Sequence, residues 1–174
     1  RYIPTAVNTT ALSNALFTTL AVGSNHTCGL DNNGIAYCWG YNNLGQLGDN
    51  STTTRATPNA VNVSALAGAK FTSLVAGSDH TCGLDNNGAA YCWGSNSVGQ
   101  LGDNYVSGAY SIVPVLVDTS AFGGAKFVSL QILYFTTCGI TSSGNSYCWG
   151  SNNNGQLGIG NTADKFVPNL ITPP

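Results

Sequence analysis

Short segments in which apolar and small residues alternate with polar ones recur along the chain, at the period of two that lets a β-strand present one face to a core. The clearest pair is Thr27-Cys28-Gly29-Leu30-Asp31 and Ile35-Ala36-Tyr37-Cys38-Trp39, separated by Asn32-Asn33-Gly34. This spacing predicts a hairpin closed by a three-residue loop, a type I turn followed by a bulge at Gly34, which supplies the positive φ. Counting outward from the loop sets the register: Asp31 faces Ile35, Leu30 faces Ala36, and Cys28 falls opposite Cys38. The same count places Cys82 opposite Cys92 and Cys138 opposite Cys148. Opposed Cβ atoms of an antiparallel ladder lie about 4.5–5.5 Å apart, and a modest local pinch brings them to disulfide distance.

These hairpins belong to an internal repeat. Residues 23–50 and 77–104 agree at 23 of 28 positions, and residues 133–160 match the second copy at 14 of 28. Cys28 and Cys82 are 54 residues apart and Cys82 and Cys138 are 56, so two residues are inserted between Asp103 and Pro114, as a loop tolerates. Pro4, Pro58 and Pro114 each precede a cysteine by 24 residues. One repeat domain over residues 1–174 is expected, with units at approximately 4–57, 58–113 and 114–167 and residues 168–174 starting a further one.

Composition narrows the fold class. Gly, Asn, Thr and Ser contribute 22, 20, 18 and 16 residues, and Glu and Met are absent, which suits an all-β, turn-rich chain and not a helical one. Charged residues make up only 7%, and all seven acidic residues are Asp. Five basic residues and a net charge of −2 argue against nucleic acid as a partner. No run of 18 apolar residues suggests a membrane span. The chain starts at Arg1 and contains no Met, so it is expected to be a processed product or a piece of something longer, with any signal peptide already removed.

Three C-x9-C pairs lack the short knuckle spacing of zinc sites, and opposed hairpin positions favour disulfides, with buried free thiols as the alternative. Disulfides imply an oxidising compartment. His26 and His80 share the context Gly-Ser-x-His-Thr-Cys, but Thr136 replaces them in the third unit, so a structural imidazole bonded to backbone is expected in preference to a metal ligand or base. Asp31-Asn32-Asn33-Gly34 and Asp49-Asn50 lack the ligand spacing of a calcium loop and read as turns. No nucleophile–base constellation or phosphate-binding loop stands out, so neither an enzyme nor a cofactor is expected.

Tyr37-Trp39, Tyr91-Trp93 and Tyr147-Trp149 lie on the hairpin face opposite the cysteines and suit a sheet-to-sheet interface, with a sugar-stacking platform as the minority reading. The third unit has Ile132-Leu133-Tyr134-Phe135-Thr136 where the second has Ala76-Gly77-Ser78-Asp79-His80. Tyr134 and Phe135 are therefore the candidate interface, against a locally different core. Candidate glycosylation sites are Asn8, Asn25, Asn50 and Asn62.

The recurring Trp-Gly-x-Asn-x-x-Gly-Gln-Leu-Gly, at residues 39–48, 93–102 and 149–158, resembles the repeat of the regulator of chromosome condensation family over essentially all 174 residues. The resemblance implies a β-propeller with one four-stranded antiparallel blade per repeat. Three blades are part of a ring, so a fragment, an assembly of chains or an open stack is expected, with the ends around Pro4 and Pro168 suited to strand exchange. Nuclear members are guanine-nucleotide exchange factors, a role that disulfides and few basic residues make less expected. The ultraviolet-B-sensing branch carries Gly-Trp-Arg-His-Thr, which reads Gly23-Ser24-Asn25-His26-Thr27 here. Secreted members with doubled cysteines resemble the chain best. The leading expectation is a non-enzymatic, secreted or cell-surface protein that binds itself or another protein. A lectin-like propeller that binds glycans is the alternative.

Overall fold

Three four-stranded antiparallel sheets follow one another along the chain in the computed structural model, which describes residues 3, 5–12, 16–105 and 109–171. Blade 1 contains β1 (Phe17–Val22), β2 (His26–Asp31), β3 (Ala36–Gly40) and β4 (Arg55–Ala60). Blade 2 contains β5 (Phe71–Ala76), β6 (His80–Asp85), β7 (Ala90–Ser95) and β8 (Tyr110–Leu116). Blade 3 contains β9 (Phe127–Leu133), β10 (Thr136–Thr141), β11 (Ser146–Gly150) and β12 (Lys165–Leu170). Strand order within each sheet follows the chain, as short antiparallel connections require. The architecture is all-β, with the blades of a β-propeller.

The central hairpin of each blade has the register that its turn dictates. Leu30 pairs with Ala36 and Cys28 with Cys38, and the other two blades repeat the pattern. Asp31 fixes the turn by accepting the Asn33 and Ile35 amides on Oδ1 at 2.8 Å each. Disulfides join Cys28 to Cys38, Cys82 to Cys92 and Cys138 to Cys148.

The sheets run out of phase with units counted from the prolines. Pro58, Pro114 and Pro168 lie inside β4, β8 and β12, and residues 168–170 finish the third sheet instead of opening a further unit. A periodic sequence specifies its period but not where a sheet starts. Phase is set by which strands pair, and every sheet here takes all four strands from one stretch of chain, leaving no strand for exchange among the described residues. Pro4 and residues 172–174 lie outside the described residues.

Candidate functional site

Blades 1 and 2 turn their cysteine faces toward the next blade, and blades 2 and 3 turn their Thr-Trp faces toward the one before. The two junctions are built alike. In the first, the main-chain carbonyl of Gln46 accepts the Trp93 indole N–H at 3.0 Å and the Thr81 hydroxyl at 2.9 Å, so blade 2 donates twice to one oxygen of blade 1. In the second, the Gln100 carbonyl accepts Trp149 and Thr137 at 3.0 Å each.

The loop that presents this carbonyl explains the Trp-Gly-x-Asn-x-x-Gly-Gln-Leu-Gly pattern. Asn42 is fully buried and ties the loop closed, accepting the Leu47 amide at 2.9 Å and donating to the Ser51 and Thr53 carbonyls at 3.0 and 3.1 Å. Gln46 accepts the Leu44 amide on its own side chain at 2.9 Å, which leaves its main-chain oxygen for the neighbour. Gly48 lies beneath the Trp93 ring with φ +66°, and a Cβ there would come within 2.8 Å of the indole. Trp93 and Trp149 are completely buried in these junctions.

The histidines sit in the same junctions. His26 Nε2 lies 2.8 Å from Thr81 Oγ1, and His80 Nε2 lies 2.9 Å from Thr137 Oγ1. Each threonine gives its proton to a glutamine carbonyl, so it accepts from the imidazole Nε2–H, which assigns the tautomer. Both Nδ1 atoms are buried without a hydrogen-bond partner. Burial pushes the His26 pKa down to about 4, and burial followed by repulsion from His26 pushes His80 to about 3. Both rings are neutral structural groups at neutral pH. Their partner is a side chain of the next blade, and not the local backbone that the sequence suggested.

The ends of the stack expose the two halves of a junction. On blade 1, Thr27 pairs with Trp39, and both are half-buried, with no acceptor for either side chain among the described residues. On blade 3 the Asn152-tethered loop recurs, with Leu157 N bonded to Asn152 Oδ1 at 3.0 Å, yet Gln156 is exposed. Next to it opens a groove of about 490 Å³ lined by Leu133, Tyr134, Phe135, Thr136, Cys138, Ser151, Asn154 and Gln156. The two residues singled out from the sequence thus border the open face, 67% and 38% exposed.

That face differs from the others at one edge. Gly23 of blade 1 touches blade 2 so closely that a Cβ would come within 2.5 Å of the Gly77 carbonyl oxygen, but blade 3 has Leu133 there. β9 accordingly extends to pair Leu133 with Thr136, and Tyr134 turns the chain with φ 52°. Of the sequons, Asn8, Asn25 and Asn50 are exposed and Asn62 is half-buried. No helix among the described residues is long and apolar enough to cross a membrane.

This Gln–Thr–Trp latch across each junction is not legible in the sequence, because its acceptor is a main-chain carbonyl. The legible signal was the threonine that precedes the first cysteine in all three units, at Thr27, Thr81 and Thr137.

Comparison with known proteins places these blades. Two models described as the regulator of chromosome condensation (RCC1) repeat match residues 17–46 and 71–100, and residues 33–84 and 143–174. The chain is 30% identical over 152 residues to the ultraviolet-B receptor UVR8 of Arabidopsis thaliana, covering 87% of this chain and 33% of that protein. It is 34% identical over 155 residues to the probable E3 ubiquitin-protein ligase HERC4 of Rattus norvegicus, covering 87% of this chain and 14% of that protein. Among solved structures, yeast RCC1 (Prp20) bound to Kap60 superposes with a TM-score of 0.78 at 22% identity, over 90% of this chain and 37% of that one. Prp20p of Saccharomyces cerevisiae, described with its binding to Gsp1p and histones, gives 0.78 at 21%, over 90% and 38%. The chain spans a third or less of the length of these two curated relatives.

Proposed function

Because the chain belongs to the regulator of chromosome condensation repeat family, we propose that it is a non-enzymatic, extracellular protein-binding module whose open blade faces dock on those of a second copy, head to tail. The observation that carries this reading is the repeated latch. Thr27 and Trp39 at one end are the donors whose counterparts in blades 2 and 3 are all engaged, and Gln156 at the other end carries the acceptor loop. The interface continues one that the chain already makes twice.

Leu133, Tyr134 and Phe135 add an apolar rim where the two internal junctions carry Gly23-Ser24-Asn25 and Gly77-Ser78-Asp79. Heterologous contacts of this kind close into a ring when the rotation per copy allows and extend into a filament when it does not. Three disulfides support an oxidising compartment.

The test is light scattering over a concentration series. A multiple of 17.9 kDa is expected, falling to 17.9 kDa in Thr27→Ala/Trp39→Ala and in Tyr134→Ser/Phe135→Asn. A 17.9 kDa species at every soluble concentration overturns the reading.

A further inference from the structure

Blades 1 and 2 treat equivalent carboxylates differently. In blade 1 both oxygens of Asp49 are occupied. Oδ1 accepts from Asn42 Nδ2 at 3.2 Å and from the Ser51 hydroxyl at 2.6 Å, and Oδ2 accepts from Arg55 Nε at 2.9 Å and Asn59 Nδ2 at 3.0 Å. In blade 2 the same position belongs to Asp103. Its Oδ1 keeps two donors, Asn96 Nδ2 at 3.1 Å and the Tyr105 amide at 3.2 Å.

The donors to the second oxygen have gone. Ser111 stands opposite Gly94 as Arg55 stands opposite Gly40, and Val115 stands opposite Cys92 as Asn59 stands opposite Cys38. Among the described residues nothing donates to Asp103 Oδ2, and Arg55–Asp49 is the only ion pair. The space has not collapsed. A cavity of about 510 Å³ lies there, lined by Asp103, Asn96, Tyr105, Tyr110, Ser111 and Val115 among others. Tyr105 and Tyr110 are 58% and 47% exposed. In blade 3, Ile159 replaces the carboxylate and Lys165 the arginine, so this combination is confined to blade 2.

The Oδ2 of half-buried Asp103, with no donor among the described residues and with phenol rings lining the same cavity, suits a planar cation that hydrogen-bonds the oxygen while its face rests on an aromatic ring. Blade 1 shows the group that fills this position from within: a guanidinium. A compact, strongly hydrated ammonium matches the flat rings less well. We propose that blade 2 carries a binding site for an arginine side chain of a partner protein, with Asp103 Oδ2 as acceptor and Tyr105 and Tyr110 as the aromatic walls. The site lies between the β7–β8 connection and the fourth strand, away from the head-to-tail faces, and stands on the comparison between blades and not on self-association.

The test titrates the full chain with Nα-acetyl-arginine amide, followed by NMR at the Tyr105 amide, with the lysine and citrulline counterparts as controls. Saturable shifts are expected with arginine, about tenfold weaker with citrulline, with lysine and in Asp103→Asn, as the loss of a charge-assisted hydrogen bond predicts. Ser111→Arg, which restores the blade 1 residue while keeping Asp103, is expected to block the ligand and raise the melting temperature. No saturable shift, equal binding of citrulline or lysine, or wild-type binding by Ser111→Arg overturns the proposal. So does a simple sugar that shifts the Tyr105 amide in place of arginine.

Discussion

The main-chain carbonyl of Gln46 holds the indole of Trp93 from the neighbouring blade at 3.0 Å, and the Thr81 hydroxyl reaches the same oxygen at 2.9 Å. One acceptor thereby fixes two side chains of the next sheet, and His26 fixes the threonine in turn. The blades are pinned at this point, and the pin recurs at the second junction.

Thr81→Val tests the pin. It removes the donor to Gln46 and the acceptor for His26 in a buried setting. A loss of about 2–3 kcal/mol is expected in urea unfolding. Thr27→Val, at the equivalent position on the open face, is expected to cost under about 0.5 kcal/mol in the monomer.

The junction histidines set an acid limit. Their folded pKa values, about 4 for His26 and about 3 for His80, lie below the ordinary value of 6.5. Between those values and 6.5 the unfolded chain binds protons that the folded chain refuses. Stability is therefore full above pH 6.5 and falls as the pH drops, by on the order of 3 kcal/mol for His26 by pH 4. Melting temperature measured from pH 7 to 4 should decline, and His80→Gln should flatten the decline. A flat wild-type profile contradicts the buried, neutral rings.

Gly48 and Gly158 separate backbone strain from contact. Both have φ +66°, but a Cβ at Gly48 would come within 2.8 Å of the Trp93 ring, whereas at Gly158 the nearest atom is 3.8 Å away. Gly158→Ala is expected to cost about 1 kcal/mol, for the left-handed backbone alone. Gly48→Ala is expected to cost about 1–3 kcal/mol more, read by thermal unfolding.

The third disulfide is expected to be reduced first. Cys28, Cys38, Cys82 and Cys92 are fully buried, while Cys138 is half-buried and lines the open groove. Thiol attack requires access. Limited reduction, alkylation and peptide mapping should label Cys138 and Cys148 before the other four. Covering that groove by a second copy should slow the labelling.

Local chemistry made part of this structure legible and repetition hid the rest. The Asn-Asn-Gly turn sets the ladder by itself, so the register that opposes Cys28 to Cys38 follows from counting. The blade limits do not follow, because Pro58 looks the same at a unit boundary as inside β4. The local sequence around His26 points to backbone at its own strand start, but its partner is Thr81, 55 residues away in the next sheet. Tyr134 and Phe135 were visible because they break the pattern, and they border the open face. Asp103 was not, because its identity matches Asp49, and what changed are Ser111 and Val115 in another strand.

Hydrogen exchange of the indole N–H groups in a dilute, monomeric sample tests the latch most directly. Trp93 and Trp149, bonded to Gln46 and Gln100, should exchange at least about 100-fold more slowly than Trp39, which has no acceptor among the described residues. Equal exchange at all three indoles would contradict the account.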